Sequence, residues 1–288
     1  LLLSGGVAVA NDPAARPAVP ILWRDPGDVA GLDLAGGPGG RDGAPVPPFV
    51  FREEEAGGTS PKILVKDARN RMWSVKWGEE AKAEVLATRL LWATGYLVEP
   101  SYFVPSGNID AVGALTRANS LIDSRGNFQN ARFELRDPKY YPLREENWTF
   151  RSVARYPQFT GFRIMIMLVS NWDVKDARSS DPDPNTSVMK RELDNGAFEK
   201  HYIINDWGAT MGRWGAIAGR SKWDCDGYAS QSRDFVKGVK NGFVEFGWHG
   251  KRADDISKGI RAGEVPWLML YLGKLTDEQI RAAAEASG

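Results

Sequence analysis

Apolar and polar residues first fall into regular order at Phe49. Phe49-Val50-Phe51-Arg52-Glu53 has strand character, Lys62 to Asp67 alternates with a period of two, and Met72 to Trp77 alternates again. The turns between them are Ala56-Gly57-Gly58-Thr59-Ser60-Pro61 and Ala68-Arg69-Asn70-Arg71. The pattern predicts an antiparallel meander of three strands with a Gly-rich first turn. After Gly78 the period changes. Val85, Leu86, Arg89, Leu90 and Ala93 recur at helical spacing, which predicts a helix over 79–94 with Gly95 as its stop. Tyr96 to Pro105 and Asn127 to Leu135 return to strand patterning, and 106–125 fits neither period.

The second half is less even. Thr160 to Ser170 is one apolar run, which periodicity alone assigns to a buried helix or a buried strand. Its methionines and the leading Thr160 favour helix. A polar loop, Asn171 to Arg178, and a Ser/Asp/Pro turn cluster, Ser179 to Pro184, follow. Asn185 to Met189 begins a strand, Asp194-Asn195-Gly196 is a hairpin turn, and Glu199 to Asn205 returns to Asp206-Trp207-Gly208. Further helices are expected over Tyr228 to Val239, Ala253 to Ala262, Pro266 to Gly273 and Thr276 to Ala286. The last opens on Thr276-Asp277-Glu278-Gln279, a capping-box sequence. Residues 11–48 read as a Pro/Gly-rich arm. Its Gly36-Gly37-Pro38-Gly39-Gly40 cluster is no phosphate loop, because no strand enters it and no helix follows.

Composition narrows the chemistry. The chain has 288 residues, 42% of them hydrophobic, enough for one large or two-lobed domain. Lys+Arg and Asp+Glu both number 37, so no basic excess exists to neutralise a nucleic acid. One cysteine, Cys225, and two histidines, His201 and His249, exclude a disulfide framework and a Cys/His zinc site. A Ser-His-Asp or Cys-His nucleophile would need one of those histidines. Chemistry therefore rests on carboxylates, lysine, asparagine and bound Mg²⁺. Eleven tryptophans fit a Trp-rich core better than a stacking groove, since many lie in apolar runs. Residues 1–10 resemble the back half of a secretory signal peptide ending in Ala8-Val9-Ala10, which predicts export; otherwise the expected site is the cytoplasm. No stretch is long and apolar enough to span a bilayer.

Four polar residues then fall in a telling order. Lys76 sits on the third strand after the glycine turn, and Glu84 on the next helix. Asp173 sits in the loop after the apolar run, and Asp206 at the end of the returning strand. This order resembles that of the protein-kinase-like superfamily, in atypical members closer to its HipA-like and phosphatidylinositol-kinase-like branches, over roughly residues 49–285. The fold so implied is α+β and two-lobed. Residues 49–135 would form a small antiparallel-sheet lobe with one helix, and 136–288 a mostly helical lobe.

The resemblance implies a phosphotransferase using ATP and Mg²⁺. Gly57, Gly58, Thr59 and Ser60 would cover the phosphates, with Lys62 assisting. Lys76 would neutralise the α- and β-phosphates, held by Glu84. Asp173 would position or deprotonate the acceptor hydroxyl, and Asp206 and Asn185 would hold the metal. The acceptor is a protein, inositol-type or small-molecule hydroxyl. The family's metal-binding Asn follows its catalytic Asp by five residues, where this chain has Arg178. Asn185 takes the place if 176–184 is a loop insertion; otherwise the resemblance implies a catalytically inactive nucleotide-binding or interaction protein. A third reading, from another class, is a carboxylate-pair hydrolase using Asp173 and Asp206.

Overall fold

The computed structural model describes residues 20–58, 60–176, 185–215, 219–251 and 254–288. The expectations for residues 1–10, Thr59 and Arg178, and for the insertion over 177–184, lie outside these. The described chain is mixed α+β. Its first unit is a barrel of five strands: β1 Phe49–Glu55, β2 Lys62–Lys66, β3 Met72–Trp77, β4 Ser101–Asp110 and β5 Asn127–Arg136, in the order β1-β2-β3-β5-β4. All neighbours are antiparallel except β1 and β4, which meet in parallel at Phe49–Ile109 and Val50–Asp110 and close the ring. An antiparallel sheet was expected, without the parallel β1–β4 contact; closure follows from the ten-residue length of β4, whose far end reaches the start of β1.

Strand alternation sorts the residues. Trp73, Val75 and Trp77 of β3 and Ala131 and Phe133 of β5 join Ile63, Val65 and Phe49 inside the barrel. Ser74, Lys76, Arg132 and Glu134 alternate with them and face outward. Against this outer face lies helix α1, Glu79–Ala93, which contacts β3, β4 and β5. Gly95 follows it with φ 90°, the left-handed stop the sequence signalled. The helix is buried nearly all round. Ala87 and Leu91 enter a second, larger core, and the helix also packs on α5, Asp277–Glu285.

That second core surrounds α2, Pro157–Leu168, through Phe162, Met165 and Ile166, with Trp148, Trp207, Trp214, Trp248 and Leu268. The apolar run is thus a helix. A three-stranded antiparallel sheet joins it, β6 Tyr140–Pro142, β7 Thr186–Glu192 and β8 Phe198–Ile204. Then come α3 Cys225–Ser232, a hairpin of β9 Val236–Lys240 and β10 Phe243–Phe246, and α4 Val265–Leu272. Among the described residues no helix is long and apolar enough to cross a membrane.

Three expectations need correction. The helix expected over 228–239 ends at Ser232, and 236–240 is a strand. The described part of the helix expected over 253–262 holds only a short 3-10 turn, Asp254–Ser257, before another at Ala262–Glu264. Residues 96–100 precede β4 instead of beginning it. The described part of the arm, 20–48, is irregular apart from short 3-10 turns, and it is tied down. Ile21 exchanges backbone bonds with Lys200 and Tyr202 at 2.8 Å, and Gln279 of α5 donates to the carbonyls of Val29 and Leu32 at 2.9 Å.

Candidate functional site

The outer face of the barrel carries a row of like charges. The register sets Lys62 opposite Lys76, and Lys76 opposite Arg132. Three cations across adjacent strands repel one another. Helix α1 supplies the countercharge. Lys76 Nζ lies 2.8 Å from Glu84 Oε1 and 2.6 Å from Glu80 Oε2. Arg132 lies 2.9 Å from Glu84 Oε2, a charge contact without hydrogen-bond direction. Arg132 also pairs with Glu134, and Arg136 meets Glu134 at 2.9 Å. Lys62 has no ion pair among the described residues.

Burial works against the Lys76 ammonium, but Glu84 and Asp206 outweigh it and its pKa is raised. Burial pushes the Glu84 carboxyl up, against the pull of Arg132 and Lys76. These two directions pull apart across one pair. Two cations within 2.9 Å of Glu84 make the ionised pair the reading we adopt. For Glu80 burial is outweighed by Lys76 and Lys222, and the carboxyl is lowered to about 2. Glu99 behaves oppositely. Burial and the Glu134 charge raise it to about 8, and Arg136 stands off at 3.6 Å.

A cavity of about 270 Å³ opens on this face. Lys62, Lys76, Glu84, Arg132, Glu134, Arg136 and Glu99 line it from the barrel side. Pro142, Asn185, Ser187, Met189, Asn205 and Asp206 line it from the three-stranded sheet. Of the residues singled out in the sequence, it therefore unites Lys62, Lys76, Glu84, Asn185 and Asp206. Asn185 and Asp206 meet because β7 and β8 are antiparallel: Asn205 N–H donates to Asn185 C=O at 3.0 Å, just before Asp206.

Two loops are bound side by side beneath this cavity. Met211 N–H donates to Val169 C=O at 2.9 Å, Trp172 N–H to Ala209 C=O at 3.2 Å, and Asn171 Nδ2 to Asp206 C=O at 3.2 Å. Asn185 Nδ2 donates to Asp173 C=O at 3.0 Å, and its Oδ1 accepts no hydrogen bond among the described residues. Asp206 Oδ1 accepts from Gly208 N–H at 2.9 Å. Asp173 does not line the cavity; its Oδ1 lies 3.3 Å from Lys251 Nζ. Asp176 is buried and accepts from Phe150 N–H at 2.7 Å, a structural role. In the glycine turn, Arg117 donates to the carbonyls of Ala56 and Gly58 at 2.9 and 2.8 Å, and Ser60 Oγ donates to Glu80 Oε2 at 2.8 Å. Lys62 Nζ sits beneath Gly58.

A hard cation would find two oxygen donors here, the Asp206 carboxylate and Asn185 Oδ1. No group of three Asp, Glu, His or Cys suited to a metal occurs among the described residues. That donor set fits a Mg²⁺ ion that takes its other ligands from phosphates and water, and does not fit an all-protein cage.

Sequence reasoning passed over four charged groups. Glu80, Arg132, Glu134 and Glu99 were not singled out. The alternation of β5 did place Arg132 and Glu134 on one face; which face lay outward depended on the register with β3. His201 is buried between Glu199 at 3.0 Å and the Tyr140 hydroxyl at 3.3 Å, so it packs. None of the eleven tryptophans is exposed. Compared with protein-family models and with curated proteins, the chain matches none.

Proposed function

We propose that the chain is an ATP- and Mg²⁺-dependent phosphotransferase on a two-lobed protein-kinase-like fold. The barrel with α1 is the small lobe and the remainder the large one. The observation that supports this most is the buried Lys76–Glu84 pair, 2.8 Å apart, in a cavity shared with Asp206 and Asn185. Phosphoryl transfer asks a protein mainly to position a polyanion and neutralise its charge. Lys76, fixed by two carboxylates, meets the phosphates as a point charge, and Lys62 adds a second. Asp206 and Asn185 would hold a Mg²⁺ ion, which would supply charge neutralisation to the phosphates. Asp173, tied through its carbonyl to Asn185, receives the proton of the acceptor hydroxyl. A carboxylate-pair hydrolase gives the Lys76–Glu84 pair no role.

A second reading has one observation in its favour. Asp173 is engaged by Lys251 and stands outside the cavity, as in a protein that binds nucleotide without turning it over. Thermal unfolding with ATP, with and without Mg²⁺, tests the nucleotide reading in wild type and Asp206→Ala. The wild-type midpoint should rise with ATP and rise further with Mg²⁺, by linkage. Asp206→Ala should lose the Mg²⁺-dependent part. A wild type blind to ATP overturns both nucleotide readings. Binding without release or transfer of radiolabelled phosphate selects the second.

A further inference from the structure

Glu80 is joined to more of the site than its place in the helix requires. Its Oε2 accepts from Ser60 Oγ at 2.8 Å and Lys76 Nζ at 2.6 Å, and its Oε1 meets Lys222 Nζ. The stem packs on Gly208, where an added methyl would lie 3.0 Å from Glu80 Cβ, Cγ and Cδ. One carboxylate thus spans the glycine turn, the strand lysine, and the segment that follows Asp206.

Lys222 is the outermost of these partners. Its side chain is 28% exposed, and its ammonium lies 5.8 Å from the centre of the Trp172 ring. Ser221, its neighbour, accepts from Trp172 Nε1 at 3.0 Å, so the backbone there is fixed against the loop of Asp173. Lys222 therefore stands between two groups. On one side is Glu80, in contact with Lys76; on the other is Trp172, adjacent to Asp173. Lys76 and Ser60 share Oε2, and Lys222 meets Oε1, so the carboxylate holds the two ammonium groups on either side of itself.

We infer that Lys222 is a third cation of the reacting end, held by Glu80 and Trp172 so that it neutralises the phosphoryl group in transit. The inference rests on the phosphotransferase reading. In that step the acceptor oxygen forms a bond to the γ-phosphorus. The bond from phosphorus to the β–γ bridging oxygen breaks, ADP leaves with the electron pair, and the acceptor proton passes to Asp173. Negative charge spreads over the transferring group midway between Lys76 and the acceptor loop. A cation fixed there acts more on the transition state than on bound ATP. Lys222 is then a catalytic residue and Glu80 its positioning residue.

The test uses the full chain with γ-labelled ATP and Mg²⁺, with water as acceptor and phosphate release as the readout. Lys222→Met should lower kcat by about tenfold or more while the KM for ATP and the ATP-dependent rise in midpoint stay near wild type. Lys222→Arg should recover most of the rate, because charge is what acts. Glu80→Gln should lower kcat in the same direction. A Met variant with wild-type kcat overturns the assignment, as does one that loses ATP response and turnover together, or an Arg variant no better than Met. A wild type that binds ATP but releases no phosphate also overturns it. A wild type without any ATP response fails the phosphotransferase reading itself.

Discussion

Glu80 occupies the second position of α1, where an acid commonly faces solvent and favours the helix N-terminus. Here its side chain is 16% exposed and its carboxyl is lowered to about 2, burial being outweighed by Lys76 and Lys222. A carboxyl depressed in the folded chain binds its proton more weakly than in the unfolded chain. Its contribution is complete above the ordinary value of 4.5 and is lost as pH falls through about 2. Wild-type unfolding free energy should drop across that acid window. In Glu80→Gln the Glu80 share of that drop, on the order of 2 kcal/mol, should be missing, with stability already lower at pH 7. Urea unfolding at a series of pH values measures it. Glu99 has the opposite sign: raised to about 8, it weakens the fold as pH rises from 4.5 to 8, so Glu99→Gln serves as a control that leaves the acid slope in place. Periodicity placed Lys76 on a strand and Glu84 on a helix, and the resemblance alone set them together as a pair. Glu80 was not legible as part of the site, because its burial depends on Gly208 and Lys222, more than a hundred residues away.

At the scale of elements, local signals held where one element supplies its own boundary. Helix α5 starts on Thr276, whose hydroxyl accepts from Gln279 N–H while the Gln279 side chain accepts from Thr276 N–H, as its sequence indicates. The expected helix ran on through 236–239, which is strand, and the difference has a local cause. Asn241-Gly242 is a strong hairpin signal, and both residues have positive φ, 52° and 80°, as a two-residue turn of that type needs. The strand before it, Val236-Lys237-Gly238-Val239-Lys240, is short and mostly exposed, so it carries little apolar alternation. Close packing of α2 was invisible in the sequence for another reason. A methyl at Gly161 would lie 2.5 Å from the Tyr96 hydroxyl and 2.7 Å from the Trp267 ring. Gly161→Ala, favourable in an isolated helix, should therefore destabilise the protein by about 1–3 kcal/mol. Chemical denaturation checks this; a stabilised variant would mean that α2 and α4 separate more easily than they pack here.

Over the whole molecule, α1 joins the larger core to the outer face of the barrel. Leu91 is fully buried in the larger core, while Val85 and Glu84 of the same helix are buried toward the barrel side. Leu91→Ala should cost about 2–5 kcal/mol and still give one unfolding transition, with coincident midpoints by circular dichroism and tryptophan fluorescence. Two separate midpoints would mean that the barrel unfolds independently. Strands and helices were mostly readable from periodicity, but closure of the barrel was not, because it depends on partners set by long-range register; Asn185 and Asp206, which line one cavity, were set together by the resemblance and not by periodicity. The row Lys62, Lys76, Arg132 has a further consequence, for the order of assembly. Lys76 is followed within eight residues by Glu80 and Glu84, whereas Arg132 arrives only with β5. Docking β5 onto β3 before α1 has formed would set Arg132 against a bare Lys76. A helix formed first would supply the countercharge as the two strands meet, so Glu84→Gln is expected to slow refolding as well as weaken the fold, which stopped-flow refolding measures.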